Sequence, residues 1–130
     1  MDSLTKRTIE RFSKAVHSLE KALALPELPE HAERDAALLR FEFAAELMPK
    51  VLQRVLSERG ADVALPKDIV RAVRAADIVS EEVATLLLSA IDDRNRMVHD
   101  YSEEFALALF GRVKEDYARA FGRLVESLRS

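Results

Sequence analysis

Apolar positions along this chain recur at spacings of three to five. Leu4, Ile9, Phe12, Val16, Leu19 and Leu23 form one such stripe, which predicts a helix over about residues 3–25. Pro26-Glu27-Leu28-Pro29 ends it, because two prolines in four residues cannot continue a helix. A second stretch, from about His31 to Arg59, carries Leu38, Leu39, Phe43, Leu47, Val51, Leu52, Val55 and Leu56 on its expected inner side. Gly60 suits its C-terminal cap. Pro49 lies within the stretch, removes a backbone donor and crowds the Ala45 carbonyl, so the pattern predicts a kink there or two abutting helices.

Pro66 fits the first turn of a short helix carrying Ile69, Val70 and Val73. Ser80 followed by Glu81 and Glu82 reads as a helix start, with a hydroxyl cap and acids at the positive end of the dipole. That helix carries Val83, Leu86, Leu87 and Ile91 and is expected to end between Arg94 and His99. Ser102-Glu103-Glu104 repeats the start signal, and the last helix carries Phe105, Leu109, Val113, Tyr117, Phe121, Leu124 and Leu128. Gly111 and Gly122 lie inside it, where each costs about 1 kcal/mol against Ala, and a close approach of a neighbouring helix would explain them. The pattern predicts an all-α, up-and-down bundle of four long helices with one extra short helix, a single domain over 1–130.

Composition narrows what such a bundle can do. The chain has no cysteine, which removes thiol chemistry and the commonest zinc sites and fits a reducing cytoplasm. Its formal charge is −3, so no global field draws it to nucleic acid, and any RNA contact must be a local cationic site, completed by a partner or a second copy. No run reaches the roughly 18 apolar residues of a membrane span. The first residues enter an amphipathic pattern, unlike the apolar run of a signal peptide. A cytoplasmic protein is the expectation.

Chemistry concentrates in Arg94-Asn95-Arg96-Met97-Val98-His99-Asp100-Tyr101, with Asp92 and Asp93 just before it. His99 is the side chain type that takes and gives protons near neutral pH. Arg94 offers a permanently cationic fork of donors that fits a phosphate. Metal-free cleavage of RNA needs that pair: a base for the ribose 2′-hydroxyl and a cation for the phosphorane. On an ideal helix Arg94 and His99 stand about 140° apart, so either the helix ends before His99 or two copies build the site. Asn95 is four residues from His99 and on its face, placed to orient the imidazole. The plainer reading of the same residues is that Arg94, Arg96 and His99 near a helix C-terminus complement its dipole and do nothing else.

Other constellations carry less. His17 and His31 stand alone, and no cluster has metal-ligand spacing. There is no nucleophile elbow and no Gly-rich phosphate loop. The aromatics Phe105, Phe110, Tyr117 and Phe121 fit a core or a dimer surface better than a base-stacking platform.

Two segments resemble a known family. Arg94-Asn95-x3-His99-x-Tyr101 resembles the Arg-x4–6-His signature of HEPN proteins, in the form of the nucleotidyltransferase substrate-binding branch. Arg34-Asp35-Ala36-Ala37-Leu38-Leu39-Arg40-Phe41-Glu42-Phe43-Ala44-Ala45-Glu46-Leu47 resembles that branch's Arg-Phe-Glu-Phe-x-x-Glu-Leu segment; Pro49 stands where the branch usually has tryptophan. The resemblance implies the HEPN helical bundle and a homodimer whose Arg/His motifs face each other. It implies the toxin of a toxin–antitoxin pair, a metal-independent RNase that uses no cofactor, with a minimal nucleotidyltransferase as antitoxin. Carried over, Arg94 and His99 are catalytic, Asn95, Arg96 and Asp93 support or orient them, and Tyr101 is a target for AMPylation by the partner. The older branch name implies an alternative, a non-catalytic subunit that presents a nucleotide to the nucleotidyltransferase. A purely structural helical adaptor is the third reading.

Overall fold

Caps written into the sequence set the helix ends. The computed structural model describes residues Met1–Ser130. Asp2 opens α1 (Ser3–Leu23) by accepting a hydrogen bond from the Thr5 amide at 2.7 Å. After a 3₁₀ turn over Pro29–His31, α2 runs over Ala32–Glu58 and stops at Gly60, whose φ of 83° needs a residue without a side chain. Pro66 leads the short α3 (Pro66–Ala75). Ser80 and Ser102 accept from the amides of Val83 and Phe105 at 3.2 and 3.1 Å, opening α4 (Glu81–His99) and α5 (Glu103–Arg112). A π turn over Val113–Tyr117 carries α5 into α6 (Ala118–Arg129) with helical backbone at both joints.

Cross-helix pairs show the alternation. Asp2 meets Arg54, so α1 and α2 are antiparallel; Glu46 faces Arg94, and Asp93 meets Arg112, so α2/α4 and α4/α5 are antiparallel too. The architecture is thus the expected all-α bundle: four long rods (α1, α2, α4 and the α5–α6 run) with one short helix, α3. α2 is the central rod, packed on α1, α3, α4 and α5. One core of buried apolar side chains fills the bundle, centred on Phe12, Phe41 and Phe121 with Tyr117 stacked on Phe41 at 5.5 Å. No helix is long and apolar enough to cross a membrane.

Several expectations are corrected. α2 is one helix through Pro49, not two; neighbours on four sides hold it together despite the missing donor. Leu39 and Phe43, expected inside, are 55% and 57% exposed, whereas Phe41, Ala44, Ala45 and Met48 are buried in their stead. Leu4 is half exposed, and Thr5 takes its place against the core. Gly111 and Gly122 permit no close approach, since a Cβ at either would meet nothing within 4 Å.

Candidate functional site

α4 runs to His99, so the helix does not end before the imidazole. Arg94 and His99 lie on one rod, about 140° apart round its axis, and do not share a face within one chain. Arg94 and Val98, four residues apart on α4, share one side of the helix, the side from which Arg94 reaches Glu46 of α2. Tyr101, just beyond the helix, is 50% exposed and close enough to Asp35 and Glu42 for their charges to act on it. Burial foremost, then the Asp35 charge, pushes its phenol above the ordinary value, so it is protonated at neutral pH. Asp35, Leu39, Glu42, Phe43 and Glu46 form the outer face of α2. The exposed Leu39 and Phe43 lie on that outer face, and the exposed Val98 shares the side of α4 that bears Arg94.

Arg94 sits loosely. Its Nη2 is 3.9 Å from Glu46 Oε2, its Nε is buried without a hydrogen-bond partner, and its side chain is 31% exposed. Lys50 approaches the same carboxylate at 3.7 Å, so Glu46 lies between two cations and within good hydrogen-bond distance of neither. These residues stand at the mouth of a groove of about 350 Å³ between α2, α3 and α4. Ile69, Ile91 and Ala45 line its buried base, Pro49 one wall, and Asn95 and Gln53 supply amides. His99 is exposed and outside this groove.

The remaining candidates separate into different surroundings. Asn95 shares the groove with Arg94. Arg96 pairs with Asp100 at 3.6 Å and lies over the Phe105 ring at 4.6 Å, a contact that ties the end of α4 to α5. Asp93 turns to the other side, where it accepts hydrogen bonds from Arg112 Nε (2.8 Å), Arg112 Nη2 (3.0 Å) and the Tyr117 hydroxyl (2.5 Å). Burial first, then the bond to Asp93, drives the Tyr117 phenol far above its usual value. Asp93 is thus fully engaged in holding α4 to the π turn. No group of three or more His, Asp or Glu side chains is placed to hold a metal ion.

Sequence reasoning missed Arg34 as a structural anchor. It is buried and donates to Glu103 from Nη1 and Nη2, at 2.6 and 3.2 Å, joining the start of α2 to the start of α5. The loop bearing Tyr101 is held just ahead of that joint. Arg34 opens the segment that carries the family resemblance, but an arginine is exposed so often that residue type alone gives no sign of burial.

The profile of a family described as nucleotidyltransferase substrate-binding protein like matches residues 7–130. Among solved structures, a protein of Thermus thermophilus is 39% identical, with 92% of this chain and 99% of that one covered and a TM-score of 0.82. A tri-AMPylated Shewanella oneidensis HEPN toxin, in complex with its MNT antitoxin, superposes with a TM-score of 0.81 over 99% of this chain and 98% of its own at 13% identity. A further toxin–antitoxin structure with AMP-PNP gives 0.82 over 100% and 99% of the two chains at 11% identity, which speaks to fold alone. No curated protein matches this chain in sequence.

Proposed function

Because this chain belongs to the nucleotidyltransferase substrate-binding protein-like family, we propose that it is the toxin of a HEPN/minimal-nucleotidyltransferase pair and a metal-independent endoribonuclease. The observation that carries the reading is the state of Arg94: a half-buried guanidinium at a groove mouth, with an orphan Nε and one carboxylate held at 3.9 Å. A cation so weakly engaged can take a phosphate without breaking a structural bond. His99 takes the proton of the ribose 2′-hydroxyl, the 2′-oxygen attacks phosphorus to form the 2′,3′-cyclic phosphate, and the P–O5′ bond breaks with the 5′-oxygen taking a proton from water. Arg94 stabilises the phosphorane.

The 140° between the two side chains makes the active unit a homodimer, in which Arg94 of one copy meets His99 of the other. The exposed apolar side chains of Leu39, Phe43 and Val98 suit such a contact. Tyr101 is the proposed AMPylation target. Its hydroxyl attacks the α-phosphate of ATP held by the partner nucleotidyltransferase, pyrophosphate leaves, and a base on the partner takes the phenolic proton. AMP on Tyr101 sets a phosphate and a bulky base two residues from His99 and blocks the cleft.

Arg94→Ala and His99→Ala are each expected to lower RNA cleavage by about 10²-fold or more. Mixing the two inactive variants is expected to restore roughly a quarter of wild-type activity, because half of randomly paired dimers are mixed and each has one intact site. Cleavage that survives both single substitutions would end the nuclease reading. The groove favours a second reading, a subunit that binds a nucleotide and cuts nothing; nucleotide affinity without any cleavage would select it.

A further inference from the structure

We propose that the groove between α2, α3 and α4 is a subsite for one nucleotide, taking its base against Ile69, Ile91 and Pro49 and its phosphate at Arg94 and Lys50. The inference rests on the reading of Arg94 as a phosphate-binding residue and names what lies next to that phosphate.

Three observations meet in this one place. The first is size: about 350 Å³ lies within the range of small-molecule pockets. The second is the layout of polarity. The base of the groove is made of buried apolar side chains, Ile69 and Ile91 at 2% and 6% exposure, while both cations stand at its mouth. A nucleotide has the same layout, a flat apolar face joined to an anion. Asn95 and the free carbonyl of the Gln53 side chain, whose amide nitrogen donates to the Val63 carbonyl at 2.9 Å, offer donors and acceptors to a base edge. Pro49 adds to this, since it has no N–H to give the Ala45 carbonyl, and both residues line the groove.

The third observation is Glu46. Its carboxylate lies 3.9 Å from Arg94 and 3.7 Å from Lys50, where a phosphate bridging both cations would sit. Both contacts are long for charge-assisted hydrogen bonds, and Arg94 Nε has no partner at all. An incoming phosphate displaces a weak internal anion and gains the stronger contacts the carboxylate does not make.

The nucleotide can be part of an RNA chain or free in solution, and the test separates the two. The four isoleucines, Ile9, Ile69, Ile78 and Ile91, are labelled at their methyl groups in the full-length protein. The protein is titrated with each of the four nucleoside 3′-monophosphates and, separately, with inorganic phosphate. The expected result is that a mononucleotide moves the Ile69 and Ile91 signals and leaves Ile9 and Ile78 in place, with a dissociation constant of about 1 mM or tighter. Inorganic phosphate alone leaves all four in place. Ala64→Trp fills the groove from an exposed position in the loop before α3 and is expected to weaken that affinity by about tenfold or more, with Tm unchanged.

For RNA, the cleavage rates of oligonucleotides that vary one base beside the cut are compared between wild type and Ala64→Trp. A base preference that the substitution flattens places an RNA-borne nucleotide in the groove. Wild-type protein whose isoleucines respond but which cuts no RNA makes this a site for a free nucleotide and sinks the nuclease reading alone. Active protein with no response at Ile69 and Ile91, or an equal response to inorganic phosphate, overturns the subsite and leaves the nuclease reading standing.

Discussion

Of the arginines that reach glutamates across helices of this bundle, Arg34 and Arg94 do opposite things. Arg34 is buried and grips Glu103 with its two terminal nitrogens at 2.6 and 3.2 Å. Arg94 is a third exposed and faces Glu46 at 3.9 Å with one nitrogen. The first pair fixes where α5 begins relative to α2, and with it the loop that carries Tyr101. The second fixes little and leaves a cation available to something else. The contrast teaches that a charge reads as structural when its partner is gripped at hydrogen-bond distance and as functional when its partner stands beyond that distance.

The widest gap between the two pairs is expected in catalysis. Arg94→Ala should remove about 10²-fold or more of the cleavage rate, while Glu103→Gln leaves the rate per folded molecule unchanged. A Glu103→Gln protein that is fully folded yet as inactive as Arg94→Ala would erase the distinction. Stability should divide the pairs the other way. Glu103→Gln strands a buried guanidinium and is expected to lower Tm by several degrees, whereas Glu46→Gln removes an exposed partner and should leave stability within about 0.5 kcal/mol of wild type. Equal Tm values for the two variants would contradict this.

Acid titration offers a finer separation. The hydrogen bonds from Arg34 hold the Glu103 carboxyl below its ordinary 4.5. A depressed folded value means the stabilisation is present above the unfolded pKa and fades as pH falls through the folded one. The Tm of wild type should therefore decline below about pH 4.5, and Glu103→Gln should flatten that part of the curve. Asp93→Asn belongs on the Arg34 side of the comparison. It weakens the bonds to Arg112 and Tyr117 and is expected to cost about 1–3 kcal/mol in urea unfolding. The smallest effect is expected at Glu46→Gln in binding, a gain of a few-fold in affinity for a mononucleotide, measured by the same isoleucine shifts; a loss would mean that Glu46 helps the ligand instead of competing with it.

Much of the architecture is legible in the sequence because its signals are local. Ser80, Ser102 and Pro66 announce helix starts, and Gly60 an end, through contacts within a few residues. The α5–α6 stripe is readable for the same reason. Leu39 and Phe43 mislead because α2 is packed on several sides. A rod with apolar neighbours almost all round has no single stripe from which an outward strip can be told. Arg94, Asn95, His99 and Tyr101 stand out by residue type, and the 140° between Arg94 and His99 follows from counting. Where Asp93 turns does not follow, since its partners Arg112 and Tyr117 lie 19 and 24 residues onward. The groove at Arg94 needs three helices to meet, and no periodicity within one of them reveals it.

The π turn has a consequence for how this chain can vary. Phe105, Leu109, Val113, Tyr117 and Phe121 are buried at successive intervals of four. On a regular α-helix each interval overshoots a full turn by about 40°, so the row would wind about 160° away from the core between its ends. The wider turn over Val113–Tyr117 takes up part of that winding. Segment length is then a stricter inheritance than segment composition. Lys114 or Glu115 can change identity at the surface, but losing one residue from this stretch would swing everything beyond it by about 100°, turning Phe121 and Leu124 toward water and pulling Tyr117 off Asp93.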